Sequence, residues 1–309
     1  MARCFVTRPL PGGGLDRLAA EHDVDLWPRR LPPPAGALRE HAAPAEGLLC
    51  LLTDRIDAAL IAGCPRLRVI SNFAVGCDNV DVAAVRARGI ALGYTPDVLT
   101  ETTADLAFAL MLAIARRLPQ AMAAVRAGEW QPWDPGWMLG DDVHGATLGI
   151  VGLGRIGHAV ARRARGFEME VLHTSRCSGV PLEDLLARAD FVSLHCPLTP
   201  QTRHLIAAPQ LRAMRPTAYL VNTARGGVVD QAALERALRE GWIAGAALDV
   251  TDPEPLPPDH SLLDAPNLIV LPHLGSATRA TRERMADLAV DNLLAGLAGR
   301  PLPSEYRAA

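Results

Sequence analysis

Three short segments of this sequence carry the side chains best suited to chemistry, and each follows an apolar run that reads as a strand. Arg225 lies in the stretch from Val221 to Gly227, Glu254 in the stretch from Leu248 to Pro255, and His273 in the stretch from Leu271 to Ser276. At the carboxyl edge of a parallel sheet these three would share one crevice. A guanidinium fork can hold a carboxylate and polarise the carbonyl beside it. An imidazole can give that carbonyl oxygen a proton as hydride arrives. A carboxylate can orient the imidazole and favour its charged form. The set suits reduction of a 2-oxo acid. Taken singly, Arg225 reads as a surface charge, Glu254 as a loop residue and His273 as a core histidine. Their conjunction beside a dinucleotide motif is what points to catalysis.

That motif lies between residues 147 and 176. An apolar run, Thr147 to Val151, reads as a buried strand and breaks at Gly152-Leu-Gly154-Arg155-Ile156-Gly157, a G-x-G-x-x-G pattern. Ile156, Val160 and Ala164 then recur at helical spacing, and Glu170 to Thr174 reads as a second strand. In such a βαβ unit Gly152 makes the tight turn, Gly154 lets a pyrophosphate approach and Gly157 packs helix on strand. The helix N-terminus, with Arg155 and Ile156, offers its N–H groups to phosphate. The glycine pattern alone would equally fit a structural tight turn; its setting between strand and helix favours dinucleotide binding. NAD-binding units place an Asp or Glu about 20 residues further on, to grip the ribose hydroxyls. Here Thr174-Ser175-Arg176 stands there. Ser175 can donate to a phosphate oxygen and Arg176 can fork onto one. The expected cofactor is therefore NADP(H), with NAD(H) second.

Composition narrows the alternatives. The chain has 309 residues, room for two domains. Its net charge of −3 gives no case for nucleic acid or an anionic membrane. All 31 basic residues are arginine, which excludes a Schiff-base lysine, a P-loop lysine and a Ser–Lys dyad. Cys4, Cys50, Cys64, Cys77, Cys177 and Cys196 form no C-x-x-C pair and no zinc spacing, so no metal is expected. Scattered thiols, no signal-like h-region and no apolar run near the ~20 residues of a membrane span suggest a cytoplasmic protein.

The elements that must position these groups alternate along the chain. Strands are expected at 4–7, 24–27, 47–52, 67–71 and 90–92, with helices at 14–21, 35–41, 57–63 and 81–88; this alternation implies a parallel sheet. The Asx- and glycine-rich loop 72–79 follows a strand, where α/β ligands bind. Thr100 or Thr102 should cap a long helix to about Arg117, with Leu106, Leu110 and Ile114 at its core. Residues 128–146 form a Trp- and Pro-rich loop, suited either to an interface or to folding back on its own domain. Further strands are expected at 190–194, 217–221, 244–249 and 268–271, with helices near 181–187, 209–214 and 230–240. A last helix should run from about Ser276 to Leu297.

The motifs NFAVGCDNVD (72–81), YTPDVLTETTADLAFAL (94–110), GLGRIG (152–157), HCPLTPQT (195–202), VNTARGGVVD (221–230), GWIAGAALDV (241–250), DPEP (252–255) and LPHLGSAT (271–278) occur in this order. In them the chain resembles the D-isomer-specific 2-hydroxyacid dehydrogenases, nearest the glyoxylate/hydroxypyruvate reductase branch. The resemblance implies an α/β fold of two Rossmann-like parallel-sheet domains. The cofactor domain (97–282) is inserted in a discontinuous substrate domain (1–96 and 283–309). It implies Arg225, Glu254 and His273 as the catalytic trio. Backbone N–H groups of Val75 and Gly76 would hold the substrate carboxylate, and Leu52 would line the pocket. Thr103, Pro197, Thr223 and Asp249 would contact the cofactor; His195 reads as a loop residue rather than an acid. The Trp loop would pack across a homodimer, with Trp137 reaching the partner's substrate pocket. Other branches (formate, phosphite or phosphoglycerate dehydrogenases) and a nicotinamide-sensing corepressor-like protein remain alternatives. One departure stands out. Only Cys-Ser-Gly-Val separates Arg176 from Pro181, where the family has a short helix and an edge strand. The sheet should therefore lack its outermost strand, leaving the adenosine side more open.

Overall fold

The structure is a computed structural model and describes residues 1–307. They divide into two units. One joins Met1–Leu99 to the segment from Ser276 onward; the other is the continuous stretch Thr100–Gly275. The sequence reading puts the two junctions at 96/97 and 282/283.

The discontinuous unit begins with β1 (Arg3–Val6), α1 (Gly14–Glu21), β2 (Asp23–Leu26), α2 (Ala35–Ala42), β3 (Gly47–Leu51), α3 (Ala58–Ala62), β4 (Val69–Phe73), α4 (Val82–Ala87) and β5 (Ala91–Gly93). Its five strands pair in the order β2-β1-β3-β4-β5, all parallel. Phe5, Leu48, Ile70 and Leu92 point to one face, where Leu38, Leu60, Ile61 and Val85 from the helices close a core.

The continuous unit holds α5 (Thr100–Ala115), α6 (Leu118–Arg126), β6 (Thr147–Val151), α7 (Arg155–Gly166), β7 (Glu170–Thr174), α8 (Leu182–Arg188), β8 (Phe191–Leu194), α9 (Ala208–Ala213), β9 (Tyr219–Asn222), α10 (Gln231–Arg239), β10 (Gly245–Leu248) and β11 (Leu268–Val270). The parallel order is β11-β10-β9-β8-β6-β7. Both faces are buried, as period-2 strands between two helical layers require. Leu148, Ile150, Phe191, Tyr219 and Val221 meet α5 and α7. Val192, Leu194, Leu220 and Leu248 meet the side of α8, α9 and α10.

The last helix, α11 (Arg279–Leu297), returns to the first unit. Ser71 Oγ donates to Ala289 O at 2.8 Å, and the Cβ position of Gly47 sits 3.2 Å from Leu293. Asn292, fully buried, donates to Tyr94 O at 3.0 Å and accepts from Ser304 N at 2.9 Å. Chain termini far apart in sequence thus share one core.

Two expectations shift, and the expected loss of the outermost strand holds. The long helix stops at Ala115 because Arg117 adopts φ 52°, the left-handed region, and Pro119 opens a second helix, α6, that the sequence reading did not predict. The final helix starts at Arg279, where Thr278 Oγ1 accepts from Thr281 N, rather than at Ser276. The shortened segment after Arg176 is a turn: Ser175 N donates to Ser178 O at 2.9 Å and Val180 N to His173 O at 2.9 Å. β7 is accordingly an edge strand of the sheet.

Candidate active site

The carboxyl ends of β9, β10 and β11 lie side by side, and each launches one segment of chemical interest. After β9, the buried Asn222 folds the chain back on itself. Its Oδ1 accepts from Ala224 N at 3.0 Å and its Nδ2 donates to Arg225 O at 2.9 Å. Arg225 is extended and half-buried, with Nη1 donating to Ala224 O at 2.8 Å. Gly226 then presses on Thr251: a Cβ there would stand 2.0 Å from the Thr251 carbonyl carbon and oxygen. Only glycine lets the Arg225 segment and the Glu254 segment come this close.

Asp249 follows β10 and is 1% exposed. Its carboxylate accepts from Leu274 N at 2.6 Å and Gly275 N at 2.8 Å, and its backbone oxygen accepts from His273 N at 2.9 Å. Burial raises the Asp249 carboxyl above the ordinary aspartate value. The two N–H bonds and a charge on His273 pull it down, and Glu254 pushes it up. Thr103, near the start of α5, lies against the same turn: a Cβ on Gly275 would be 3.3 Å from Asp249 Oδ2 and 3.4 Å from Thr103 Oγ1. The turn holds His273 at φ 56° and aims its ring at Glu254, Nδ1 to Oε1 at 2.5 Å. Both side chains are partly exposed.

The dinucleotide motif sits at the carboxyl end of β6. Gly152 has φ 97°, and a Cβ there would lie 2.6 Å from Cys196 N. A Cβ on Gly157 would lie 2.3 Å from Gly152 O, so α7 seats directly on the turn. Gly154 caps α7 and has nothing within 4 Å of its Cβ position, so the helix N-terminus opens on free space. Arg155 and Ile156 supply its first N–H groups. Two buried polar atoms at neighbouring strand ends have no partner, Thr223 Oγ1 and His195 Nδ1. Unpaired polar atoms in such a place fit a polar ligand lying across the sheet. A dinucleotide matches these residues. His195 itself bonds Ser193 Oγ through Nε2 at 2.8 Å, and burial lowers it to about 4, so it is neutral at physiological pH. Pro197 is exposed, and its carbonyl accepts from Thr202 Oγ1 at 2.6 Å.

Beyond β7 the expectation for Ser175 changes. Its hydroxyl contacts Ser178 O at 3.0 Å and Ser178 Oγ at 2.9 Å, and accepts from Ser178 N at 3.1 Å. A hydroxyl has one proton, and the turn takes it, so Ser175 has none left for a phosphate. Arg176 beside it is exposed.

In the other unit, Leu52 and the pair Val75–Gly76 occupy two turns after β3 and β4, each half-buried. Among the described residues the N–H groups of Val75 and Gly76 have no hydrogen-bond partner. The sequence reading missed what holds these turns. Asn79 Nδ2 donates to Leu51 O and Asp54 O, both at 3.0 Å, and its Oδ1 accepts from Asn72 Nδ2 at 3.0 Å. Asn72 Nδ2 also donates to Gly76 O at 2.9 Å. Two amides are fully satisfied across three backbone segments, a pairing that local sequence does not reveal.

Trp137 stands in an exposed loop with Trp130 and Trp133, the last 83% exposed. The loop's far end is fixed by a Tyr219 OH bond to Asp141 Oδ2 at 2.5 Å and by Gly140 packed on Ala115 O.

A glycine-rich βα turn on a parallel sheet, with a paired histidine and glutamate at adjacent strand ends, defines a dinucleotide-dependent oxidoreductase. Residues 108–275 match the family model described as D-isomer specific 2-hydroxyacid dehydrogenase, NAD binding domain. The chain is 50% identical to a glyoxylate reductase of Korarchaeum cryptofilum, over 98% of this chain and 95% of that protein. The crystal structure of a Thermus thermophilus protein superposes with TM-score 0.93 at 49% identity, covering 99% of this chain and 100% of that one. An NADPH-dependent glyoxylate/hydroxypyruvate reductase of Sinorhizobium meliloti, solved with NADP and malonate, superposes with TM-score 0.84 at 34% identity, covering 100% of this chain and 99% of that one. The chain belongs to the D-isomer-specific 2-hydroxyacid dehydrogenase family, in its glyoxylate reductase branch.

The seating of Gly226 on Thr251 gives a direct test. Gly226→Ala must push two backbone segments apart and should destabilise the protein by ~1–3 kcal/mol, the usual cost of overpacking. Urea unfolding with an unchanged midpoint would contradict that seating.

Proposed function

We propose that this protein reduces a small 2-oxo acid of the glyoxylate or hydroxypyruvate kind to its 2-hydroxy acid. The observation that carries the reading is the Glu254–His273 pair at 2.5 Å, on the ends of β10 and β11, with Arg225 after β9 on the other side of β10. Bound nicotinamide supplies hydride to the carbonyl carbon. The protein's residues do the rest. Val75 and Gly76 offer N–H groups to the substrate carboxylate, and Leu52 lines the substrate pocket. Arg225 forks onto the carboxylate and carbonyl oxygen, drawing electron density from the carbon under attack. Glu254 holds His273 by Nδ1, so Nε2 gives the carbonyl oxygen its proton. Thr103, Pro197, Thr223 and Asp249 line the nicotinamide side, and Gly152, Gly154, Arg155, Ile156 and Gly157 the phosphates. The relatives' names, glyoxylate reductase and glyoxylate/hydroxypyruvate reductase, support the substrate class.

His273→Ala should lower kcat for glyoxylate reduction by ~10²–10⁴, the worth of a positioned acid, while the cofactor still binds. Wild-type turnover in that variant would sink the assignment.

We infer a preference for NADPH over NADH. No carboxylate stands at the end of β7 to repel a 2′-phosphate, and Arg176 is exposed there. The Ser175 hydroxyl serves its own turn, so the discrimination rests on Arg176 alone. Arg176→Ala should raise KM for NADPH far more than for NADH. Equal effects on both, or a wild-type preference for NADH, would refute it.

The proposed assembly is a homodimer. Leu118, Met122 and Val125 of α6, with Trp130, Trp133, Trp137 and Leu139, are exposed apolar side chains, and exposed apolar groups of this kind support an interface. By family resemblance, Trp137 would reach the partner's substrate pocket. Light scattering at assay concentration should report twice the chain mass, and a monomer would refute the arrangement.

A further inference from the structure

Glu254 lies in a stretch with no helix or strand of its own, between β10 and a single 3₁₀ turn at Ser261–Asp264. A carboxylate on so irregular a segment holds a 2.5 Å contact only if something fixes the backbone beneath it. The fixing contacts converge on Asp252, two residues before Glu254. Gln231 Nε2 donates to Asp252 O at 2.6 Å, and Gln231 Oε1 accepts from Asp252 N at 2.8 Å. The side-chain amide thus pairs with both polar backbone groups of one residue, as a neighbouring strand would. Around it, Thr251 Oγ1 donates to Pro253 O at 2.8 Å. Arg203 Nη2 reaches Asp252 Oδ2 at 3.3 Å, an exposed ion pair worth little by itself.

Gln231 is well placed to act as an anchor. It is the first residue of α10, where Asp230 caps the helix by accepting from Ala233 N at 3.1 Å. Asp230 N in turn donates to Ile206 O at 2.9 Å. The same short stretch, 225–231, begins with Arg225. Gly226 touches Thr251 at one end of it and Gln231 grips Asp252 at the other. A glutamine is required for both bonds. Methionine has the length and neither polar group. Glutamate keeps the acceptor for Asp252 N–H but sets a second oxygen against Asp252 O.

We propose that Gln231 is a positioning residue for the reaction: by clamping Asp252 to the segment that bears Arg225, it sets the geometry of the Glu254–His273 pair. The inference rests on the oxidoreductase reading above. Gln231 touches neither member of the pair and acts only through the backbone. Misplacement of a reacting group by about 1 Å can cost ~10² in rate, so a loosened clamp should act on kcat.

The test compares wild type, Gln231→Met and Gln231→Glu with two readouts. The first is the low-field proton resonance of the His273 Nδ1–H bonded to Glu254, recorded without substrate. The second is kcat and KM for glyoxylate beside the NADPH dissociation constant from fluorescence titration. Gln231→Met should move or broaden the resonance and lower kcat by about tenfold or more, with NADPH affinity near wild type. Gln231→Glu, with one bond kept, should fall between. A resonance and kcat as in wild type would overturn the proposal. So would losses of kcat and NADPH affinity in equal measure, the mark of a general structural role. The resonance needs no turnover: if wild type reduced no 2-oxo acid, the functional reading would fail while the resonance still judged the clamp.

Discussion

The turn that carries His273 hangs on the buried carboxylate of Asp249. Two N–H groups of the turn bond its oxygens, and the His273 N–H bonds its backbone carbonyl. Burial opposes the charge, raising the carboxyl, so the arrangement survives only because the N–H groups compensate it. This bonding holds His273 in the left-handed region, and that conformation turns the ring toward Glu254. The rest of the unit is arranged around this anchorage. The strand order sets β10 between β9 and β11, so the Asp249 segment is flanked by the two that bear Arg225 and His273. Close approaches of Gly226 to Thr251 and Gly275 to Thr103 fix the spacing.

The phosphate end is built from the same materials under a different constraint. Gly152 and Gly157 leave no room for a side chain, which brings α7 down onto β6 and exposes its first N–H groups. The unpaired Thr223 Oγ1 and His195 Nδ1 lie between that end and the His273 turn in strand order, on the ends of β9 and β8. A fold that buries polar atoms without partners loses stability. A ligand that pairs them recovers it, which is how binding affinity and fold stability are linked here.

Much of this was legible in the sequence because it is local or periodic. Alternating apolar runs and helical spacings gave both parallel sheets, and glycine spacing gave the βα turn. Arg225, Glu254 and His273 were singled out because each follows an apolar run that reads as a strand, and those runs are β9, β10 and β11. What escaped depends on contacts distant in sequence or on single dihedrals. The break at Arg117 that starts α6 is one positive φ in an otherwise helical pattern. Ser175 was read as a phosphate donor, because nothing in Thr-Ser-Arg reveals that Ser178 takes its proton. Asn72, Asn79 and Gln231 bind backbone groups across loops, and an amide in a loop carries no signal of which backbone it will meet.

The central claim is that the charge of Glu254, delivered through His273, serves proton transfer to a 2-oxo acid. Glu254→Gln keeps the size of the side chain and an acceptor oxygen while removing the charge. The most direct measurement is kcat for glyoxylate reduction by that variant at saturating NADPH. The account predicts a fall of at least about tenfold, equivalent to ~1.4 kcal/mol of transition-state stabilisation, with KM for glyoxylate close to wild type. An unchanged kcat, or a change confined to KM, would contradict it.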